Sequence, residues 1–493
     1  MNTYPDAATA RAAVVPQGPA EWLLPIDGRK PVRIIANDTI LAGFDDGVFE
    51  QAVNTAEAPG VEQVVLGPDA HAGWGCPVGC VIISPTHVYP APVGPDAGCS
   101  MSYLQTDLPD AAITDKTIRR ALINAICQRL PTGMGSRQAP KARVIPQITL
   151  LKVVMRGASQ PDLLAELGIP PSWAAHLETV SHGDPHKLGL RLAQHQSRTT
   201  AKLCQIGSYG GGNHFGEAQA VSVAPGMEPI AEAFGVKAGC VGFLSHCGSR
   251  GFGFQLMALH HRALEQRFRE WGIPLPGGEK ELVHAPLGTP EADAYLLDMQ
   301  LALNFATVNH MLISAYVLEA FQEVIPGVRG ELVYHLMHNC LLEEVVDGHK
   351  ALVGRKGATR ALPAGHHGLK GTRYADTGHP VLLPGNPLAG SYLMVGQPEA
   401  AKTAFSINHG GGRQMGRNHA KRTLNQAAVD KELFDADILY NGRTYPIDEA
   451  PAAYKAFDQV TASVEQAGLA KVVARLRARF VIKDMDQSAE GSA

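Results

Sequence analysis

The 493-residue sequence is poor in cysteine: it has eight, and no two of them form a CxxC pair. So few thiols in so long a chain exclude a disulfide-stabilised scaffold and indicate free cysteines in a reducing compartment. Cys76 and Cys80 could supply half of a zinc site. No second pair of thiols accompanies them, however, and buried free cysteine is common. The cysteine content therefore favours an intracellular protein, with zinc at this pair as the weaker alternative.

The sequence also lacks the apolar runs of a membrane protein and the basic excess of a general nucleic-acid binder. No stretch reaches the roughly 18 uncharged apolar residues of a membrane helix, and the first residues include Asp6 but no apolar core of a secretion signal. The formal net charge is −4, so any basic groove for RNA must be local. We therefore expect a cytoplasmic protein that makes no membrane contact.

Rossmann and Walker fingerprints, internal repeats and regular βαβ alternation are absent as well. Short β-type runs instead lie among amphipathic helical stretches, which predicts a mixed α/β (α+β) fold. The β-type runs begin at Val32, Val78, Val241, Glu331 and Ser391, and the clearest helical stretches are 116–130, 252–271, 292–324 and 450–467.

The sequence does contain a series of glycine-rich turns, most of which hold a histidine, cysteine, acid or basic residue. One such turn usually marks an ordinary loop, but a series of them indicates one assembled polar site, because glycine lets the backbone approach a ligand closely. The turns are PDAHAGWG (68–75), GPDAGC (94–99), GGGNHFGE (210–217), SHCGSRG (245–251), HN (338–339), GRKGATR (354–360) and NHGGGR (408–413).

If these turns converge, most of the chain must form one interleaved domain, because they are spread from residue 68 to residue 413. We expect this domain to cover residues 21–483. Residues 1–20 and 484–493 are predicted to be a flexible N-terminus and a flexible C-terminal tail.

Five of the residues in these turns have side chains suited to binding metal ions. Asp96 and Cys99 are close enough in sequence to meet one ion or to flank two, and a thiolate can bridge both. His214, His246 and His338 each lie in a glycine-flanked turn or beside a predicted strand. Taken singly, the Asp96–Cys99 segment is more often a turn with a buried cysteine, and each histidine is more often a hydrogen-bonded residue of the core or of a loop. Together they supply enough donors for two divalent ions.

His409 has a different setting, since it precedes three glycines and is followed by Arg413. Backbone N–H groups in such a turn can hold a phosphate, an arginine can bind its oxygens, and an imidazole can act as a nucleophile. A phosphate-binding loop without catalysis is the alternative. Lys356 and Arg360 lie either in a solvated charged turn or beside the phosphates of a nucleotide or RNA end.

In this order, the turns resemble the motifs of the RtcB family, the GTP-dependent RNA-splicing ligases. PVLLPGN followed by SYLMVG, then EAPAAYK and a near-terminal VIK, extend the resemblance over nearly the whole chain. The resemblance implies a single RtcB-like domain with a deep pocket for two metal ions and a guanylate. It also implies that GTP and Mn²⁺ are used to join RNA 2′,3′-cyclic phosphate or 3′-phosphate ends to 5′-hydroxyl ends, in tRNA splicing or RNA repair.

The resemblance further implies roles for individual residues. His409 would form a covalent phosphoramidate with GMP, and Asp96, Cys99, His214, His246 and His338 would bind two Mn²⁺ ions. Asp69 and His71 would orient ligands or the nucleophile, while Arg250, Lys356, Arg360 and Arg413 would contact phosphate or RNA. The guanylate-binding set is Asn213, His214, Phe215, Gly216, Glu217, His338, Asn339, Pro384, Gly385, Asn386, Pro387, Ser391, His409, Gly410, Gly411, Gly412, Tyr454 and Lys483.

Within that set, three side chains would recognise the guanine base. The Glu217 carboxylate can accept hydrogen bonds from the N1 and N2 edge, the Tyr454 ring can stack on the base, and Lys483 can donate to O6.

The sequence also departs from the family pattern. DAGCS stands for DINCG at 96–100, HGGGR for HGAGR, Gly354 for the usual histidine, and LAGSY for GTASY at 388–392, while residues 484–493 extend beyond the usual end. All five metal donors and the nucleophile are kept, so the expected difference lies in substrate preference. Two alternatives stay open, namely an enzyme that caps RNA 3′-ends with GMP and seals weakly, and a non-catalytic module that binds GTP or RNA ends. An archease-type activator is a further expected partner.

Overall fold

The computed structural model describes residues 3–133, 138 and 143–485. Helices and strands are interspersed along this part of the chain, which confirms the predicted mixed α/β class. The helices are α1 (Ala7–Ala12), α2 (Asp38–Ala42), α3 (Asp46–Glu57), α4 (Lys116–Arg129), α5 (Gln147–Arg156), α6 (Pro161–Glu166), α7 (Pro185–Leu192), α8 (Ser197–Thr200), α9 (Glu228–Phe234), α10 (Arg250–Trp271), α11 (Pro290–Val324), α12 (Arg417–Thr423), α13 (Gln426–Asp435) and α14 (Phe457–Gln466).

The strands are β1 (Val15–Gly18), β2 (Glu21–Leu24), β3 (Val32–Ile35), β4 (Gln63–His71), β5 (Val78–Ser84), β6 (His87–Val88), β7 (Ser100–Pro109), β8 (Phe215–Val223), β9 (Cys240–Cys247), β10 (Ala285–Pro286), β11 (Gly330–Met337), β12 (Asn339–Val346), β13 (His349–Lys356), β14 (Ala358–Arg360), β15 (Pro380–Pro384), β16 (Ser391–Gly396), β17 (Ser406–Asn408), β18 (Leu439–Tyr440) and β19 (Ala470–Lys483).

Two large sheets contain most of these strands. One has the order β1-β2-β3-β4-β5-β13-β12, and the other has the order β11-β7-β9-β8-β19-β16-β15. Strands that are neighbours in this second order run antiparallel, and β18, the eighth strand of the second sheet, pairs with β19 in parallel. In consequence, β7 and β8 begin at the same edge at which β9, β11 and β19 end. We call this edge of the second sheet the site edge.

Helix α11 forms the centre of the largest core, where it packs against α4, α5, α7 and α10 and against β7 and β9 of the second sheet. By length and composition alone it could cross a membrane, but 94% of its apolar window is buried inside the fold. It is therefore the core helix of this domain. Its Ala306 lies directly behind the GPDAGC turn, where a Cβ atom at Gly98 would come within 2.9 Å of it.

The strands and helices expected from sequence are present, with one error of position. The five β-type runs form β3, β5, β9, β11 and β16, and three of the helical stretches form α4, α10 and α11. The fourth was wrong at its start, because α14 begins only at Phe457. Residues 451–453 before it form a short 3₁₀ turn that begins with Pro451, and Tyr454 is extended.

The predicted N-terminal segment lies mostly among the described residues, whereas most of the predicted C-terminal tail does not. Residues 7–18, which lie in the segment expected to be flexible, form α1 and β1, and Asp6 caps the helix by accepting a hydrogen bond from the Thr9 amide. Most of the predicted C-terminal tail, residues 486–493, lies outside the described residues.

Candidate active site

Four of the five predicted metal donors lie at the site edge because of strand pairing. Cys99 immediately precedes β7, His214 immediately precedes β8, and His338 immediately follows β11. His246 is the second-last residue of β9, where it pairs with Phe215 of β8 and Met101 of β7. Residues that are more than 200 positions apart in sequence thus become neighbours across adjacent strands.

The donor atoms form two groups that share the Cys99 thiol. Cys99, His246 and His338 make one group, Asp96, Cys99 and His214 make the other, and within each group the donor atoms lie within 4.8 Å of one another. Cys99 Sγ is 3.3 Å from His246 Nε2 and 3.4 Å from His214 Nε2. His246 Nε2 is 3.1 Å from His338 Nε2, and His214 Nε2 is 2.9 Å from an Asp96 oxygen. Two triads that share a thiol match two ions with a bridging thiolate.

Electrostatics in this cluster favour a bound cation. Burial and the neighbouring histidines hold the pKa values of His246 and His338 well below the usual range, so both imidazoles are neutral and able to bind metal. Burial alone would lower the pKa of His214, but Asp96 and Cys99 raise it well above its usual value. Nδ1 of His214 lies 2.9 Å from the Tyr209 carbonyl oxygen, an outer contact that directs Nε2 toward the cluster.

The predicted nucleophile, His409, lies beside this cluster. The centroid of its ring is 4.8 Å from that of His338 and 6.5 Å from that of His246. Its Nδ1 is 2.8 Å from an Asp69 carboxylate oxygen and 2.9 Å from the Gly357 carbonyl oxygen. Because a carbonyl can only accept, Nδ1 carries the hydrogen, and the lone pair of the neutral ring is therefore on Nε2. The arrangement matches that of an oriented nucleophilic imidazole.

A pocket of about 360 Å³ opens from the donor cluster. Its volume is typical of small-molecule sites. Most of the predicted metal, guanylate and phosphate residues line it, namely His71, Asp96, Cys99, Asn213, Phe215, Glu217, His246, His338, Asn339, Lys356, Pro384, Gly385, Asn386, Pro387, His409, Gly410, Gly411, Gly412, Arg413, Tyr454 and Lys483.

One part of the pocket wall is built around buried Glu449. Its carboxylate lies 2.7 Å from the Tyr454 hydroxyl, 3.0 Å from Lys483 Nζ and 2.8 Å from an Arg417 nitrogen. Burial alone would raise the pKa of Glu449, but Lys483, Arg417 and Arg413 lower it to about 2. Burial raises the pKa of Glu217 to about 7, although the Gln219 amide and Lys483 oppose this shift. The pocket wall thus contains an ionised carboxylate, Glu449, and a second carboxylate, Glu217, that titrates near neutrality.

Six predicted site residues lie outside the pocket wall, and one of them is the metal donor His214. Asp69 is buried and contacts Nδ1 of His409. Ser391 contacts the amide of Gln219, which donates to both Ser391 and Glu217. Arg360 is paired with Glu178 in a buried ion pair rather than facing the pocket. The other two are Gly216, which packs against Tyr209 and Phe243, and Arg250, whose Nε donates to Ser208.

Sequence reasoning did not single out Arg417, Tyr445 and Glu449, although all three line the pocket. Glu449 is the first residue of the EAPAAYK match, and that position was a detectable signal. Arg417 and Tyr445 lie in stretches without a glycine-rich turn that carries a metal donor.

The family model described as tRNA-splicing ligase RtcB matches residues 51–484 of this chain. The chain belongs to the RtcB family. Three archaeal relatives named tRNA-splicing ligase RtcB are similar over nearly their full length. The protein from Thermococcus kodakarensis is 34% identical, with 92% of this chain and 95% of the relative covered. The corresponding values are 34%, 94% and 97% for Nanoarchaeum equitans, and 33%, 94% and 98% for Aeropyrum pernix. The resemblance found in the motifs is thereby confirmed.

The shared thiol of this RtcB-family protein yields a prediction. Cys99→Ala removes a donor from both triads, so we expect affinity for Mn²⁺ at both positions to fall by more than the roughly 10–100-fold typical of losing an outer contact. Titration calorimetry with Mn²⁺ measures this, and Cys340→Ala, which removes a buried thiol outside the triads, serves as the matched control. Loss of only one of two bound ions would contradict a bridging role.

Proposed function

We propose that this protein is an RNA ligase that joins RNA 2′,3′-cyclic phosphate or 3′-phosphate ends to 5′-hydroxyl ends through a covalent His409–GMP intermediate, using GTP and two Mn²⁺ ions. Membership of the RtcB family supports an RNA ligase of the tRNA-splicing type, acting in splicing or repair. The setting of His409 carries the chemical detail, because its Nδ1 faces two acceptors while its ring lies beside a group of metal donors.

In the first step, Nε2 of His409 attacks the α-phosphorus of GTP. An N–P bond forms, the P–O bond to the leaving group breaks, and pyrophosphate departs. The Asp69 carboxylate stabilises the positive charge that develops on the imidazole, and it holds the ring in one orientation. Two divalent ions bound by the five donors would neutralise the triphosphate and stabilise the leaving oxygen.

In the following steps the guanylyl group activates the RNA end. An oxygen of the RNA 3′-phosphate displaces the His409 nitrogen from the GMP phosphorus. The 5′-hydroxyl oxygen then attacks the RNA phosphorus, so that a 3′,5′-phosphodiester forms and GMP leaves. A 2′,3′-cyclic phosphate must first be opened by water, which breaks its bond to the 2′-oxygen. Lys356, Arg413 and Arg417 line the pocket and can donate to phosphate, although Arg413 and Arg417 also pair with Glu449.

The donor set fits Mn²⁺ but is not selective for it. One thiolate, three imidazoles and one carboxylate also suit other borderline divalent ions such as zinc or cobalt. A cytoplasmic location remains an expectation from the composition of the sequence, and help from an archease-type activator remains one from the family resemblance.

The nucleophile assignment predicts that His409→Asn abolishes covalent labelling by α-labelled GTP with Mn²⁺. Asparagine keeps a polar side chain of similar size but has no imidazole nitrogen for the N–P bond. Denaturing electrophoresis shows the label, and His419→Asn, a change at an exposed histidine of α12, is expected to label like the wild type. A labelled His409→Asn protein would show that another residue is the nucleophile.

The ligation step is tested by giving the wild-type protein a 3′-phosphate RNA with and without a 5′-hydroxyl partner strand. We expect a joined product only when both strands, GTP and Mn²⁺ are present. Gel separation distinguishes joined RNA from RNA that ends in GMP. Accumulation of the guanylylated end in the presence of the partner strand would favour the capping alternative, and nucleotide binding without any label would favour the binding module.

The raised pKa of Glu217 predicts pH-dependent recognition of guanine. As the pH rises through about 7, the carboxylate ionises and can accept from both N1–H and N2–H. We therefore expect affinity for guanosine, which carries no phosphate and needs no metal, to increase from pH 6 to pH 8. Glu217→Gln should bind roughly 10–100-fold more weakly at pH 8, as expected for a charged hydrogen bond, and should lose this pH dependence. Calorimetry measures both, with Glu232→Gln on exposed α9 as the control; an unchanged pH profile in Glu217→Gln would refute the assignment.

A further inference from the structure

Lys455 is a buried lysine that joins the segment carrying Asp69 to the glycine loop after His409. Its Nζ donates to the carbonyl oxygens of Pro68, at 3.1 Å, and Ala70, at 2.5 Å. Its own backbone N–H donates to the Gly412 carbonyl oxygen at 3.0 Å. The residue is 7% exposed and is not part of the pocket wall. Lys455 therefore contacts both the segment that carries Asp69 and the glycine loop after His409, and it does not line the pocket.

The two carbonyls that Lys455 binds lie where β4 leaves the regular ladder. The pairing of β4 with β5 is regular up to Leu66 opposite Cys80, and it shifts register before His71 opposite Val78. Backbone carbonyls in such an irregular stretch need partners other than the neighbouring strand. The Lys455 ammonium donates to the carbonyl oxygens of the residues before and after Asp69. Nδ1 of His71 lies 2.9 Å from the Asp69 carbonyl oxygen.

Close packing makes the position of Asp69 sensitive to its supports. A Cβ atom at Gly412 would come within 2.5 Å of the Asp69 carbonyl oxygen, and one at Gly79 within 2.4 Å of its Oδ1. Among the described residues, Oδ1 is buried without a hydrogen-bond partner, while Oδ2 contacts His409. A buried carboxylate in this setting requires a nearby positive charge.

Lys455 supplies such a charge, and its surroundings keep it close. The ammonium also lies 4.4 Å from the centroid of the Phe44 ring, a favourable cation–π contact. Burial lowers the pKa of Lys455 to about 8, although the carboxylates of Asp69 and Asp45 oppose this shift. The amine is thus charged at neutral pH and coupled to Asp69.

We propose that Lys455 is a positioning residue for guanylylation: by clamping the carbonyls on both sides of Asp69, it holds the carboxylate that orients His409 for attack. This inference rests on the proposed function, because it concerns the rate of His409–GMP formation. Lys455 does not touch the substrate, and it acts through Asp69.

The test is the rate of covalent labelling as a function of GTP concentration, with Mn²⁺ saturating. In Lys455→Met, which keeps the length of the side chain but removes the charge and the donors, we expect the maximal rate to fall at least tenfold. The GTP concentration for half-maximal rate should change by less than twofold, because Lys455 does not line the pocket. Lys455→Gln retains one donor group and should give an intermediate rate. Lys471→Met, at an exposed position of β19, is the matched control.

A double variant with Asp69 distinguishes a positioning role of Lys455 from a general loss of structure. If Lys455 acts through Asp69, the double variant Asp69→Asn with Lys455→Met should label no more slowly than Asp69→Asn alone. Multiplied losses would overturn the proposal, as would an undiminished maximal rate or a changed GTP requirement in Lys455→Met. If Lys455→Met does not fold, as judged by thermal unfolding, the same comparison is made with Lys455→Gln. Failure of the proposed function has a different outcome, namely no label on the wild type.

Discussion

The active site depends on the convergence of antiparallel strand ends at one edge of the eight-stranded sheet. Antiparallel neighbours place the start of one strand next to the end of the other, so Cys99, His214, His246 and His338 meet although the chain separates them widely. Strand spacing of about 4.8 Å brings these side chains close enough to share ions. Helix α11 supports this edge from behind, where Gly98 leaves room for Ala306.

Buried charge is distributed unevenly around the pocket, and this distribution matches the proposed chemistry. Among the metal donors, the neutral imidazoles of His246 and His338 lie beside the Cys99 thiol, while His214 lies beside Asp96. Elsewhere in the pocket wall, Glu449 is ionised and surrounded by Lys483, Arg413 and Arg417, so its charge is compensated within the protein. Beside the metal donors, Nδ1 of His409 contacts the Asp69 carboxylate. A ligand with a negative triphosphate and a polar base complements this distribution of charged and neutral groups.

Much of the site could be predicted from the sequence because its residues lie in short motifs beside recognisable strands. GPDAGC and SHCGSRG adjoin β7 and β9, and all five metal donors indeed come together. Arg360 shows the limit, since its motif indicated a phosphate contact while its guanidinium pairs with Glu178. The start of α14 shows another, because apolar spacing continued through Pro451 although the backbone there forms a short turn. Local patterns do not reveal a distant partner or a competing turn.

The sequence by itself determined the fold class, the family and the chemical types gathered at the site, because these follow from composition, periodicity and ordered motifs. Only the tertiary structure decided which donors share Cys99, which acceptors face Nδ1 of His409, and that Lys455 supports Asp69 from a segment 386 positions away in sequence. These relations depend on strand register and on close packing between remote segments. Both are set by the burial of the whole domain rather than by neighbouring residues.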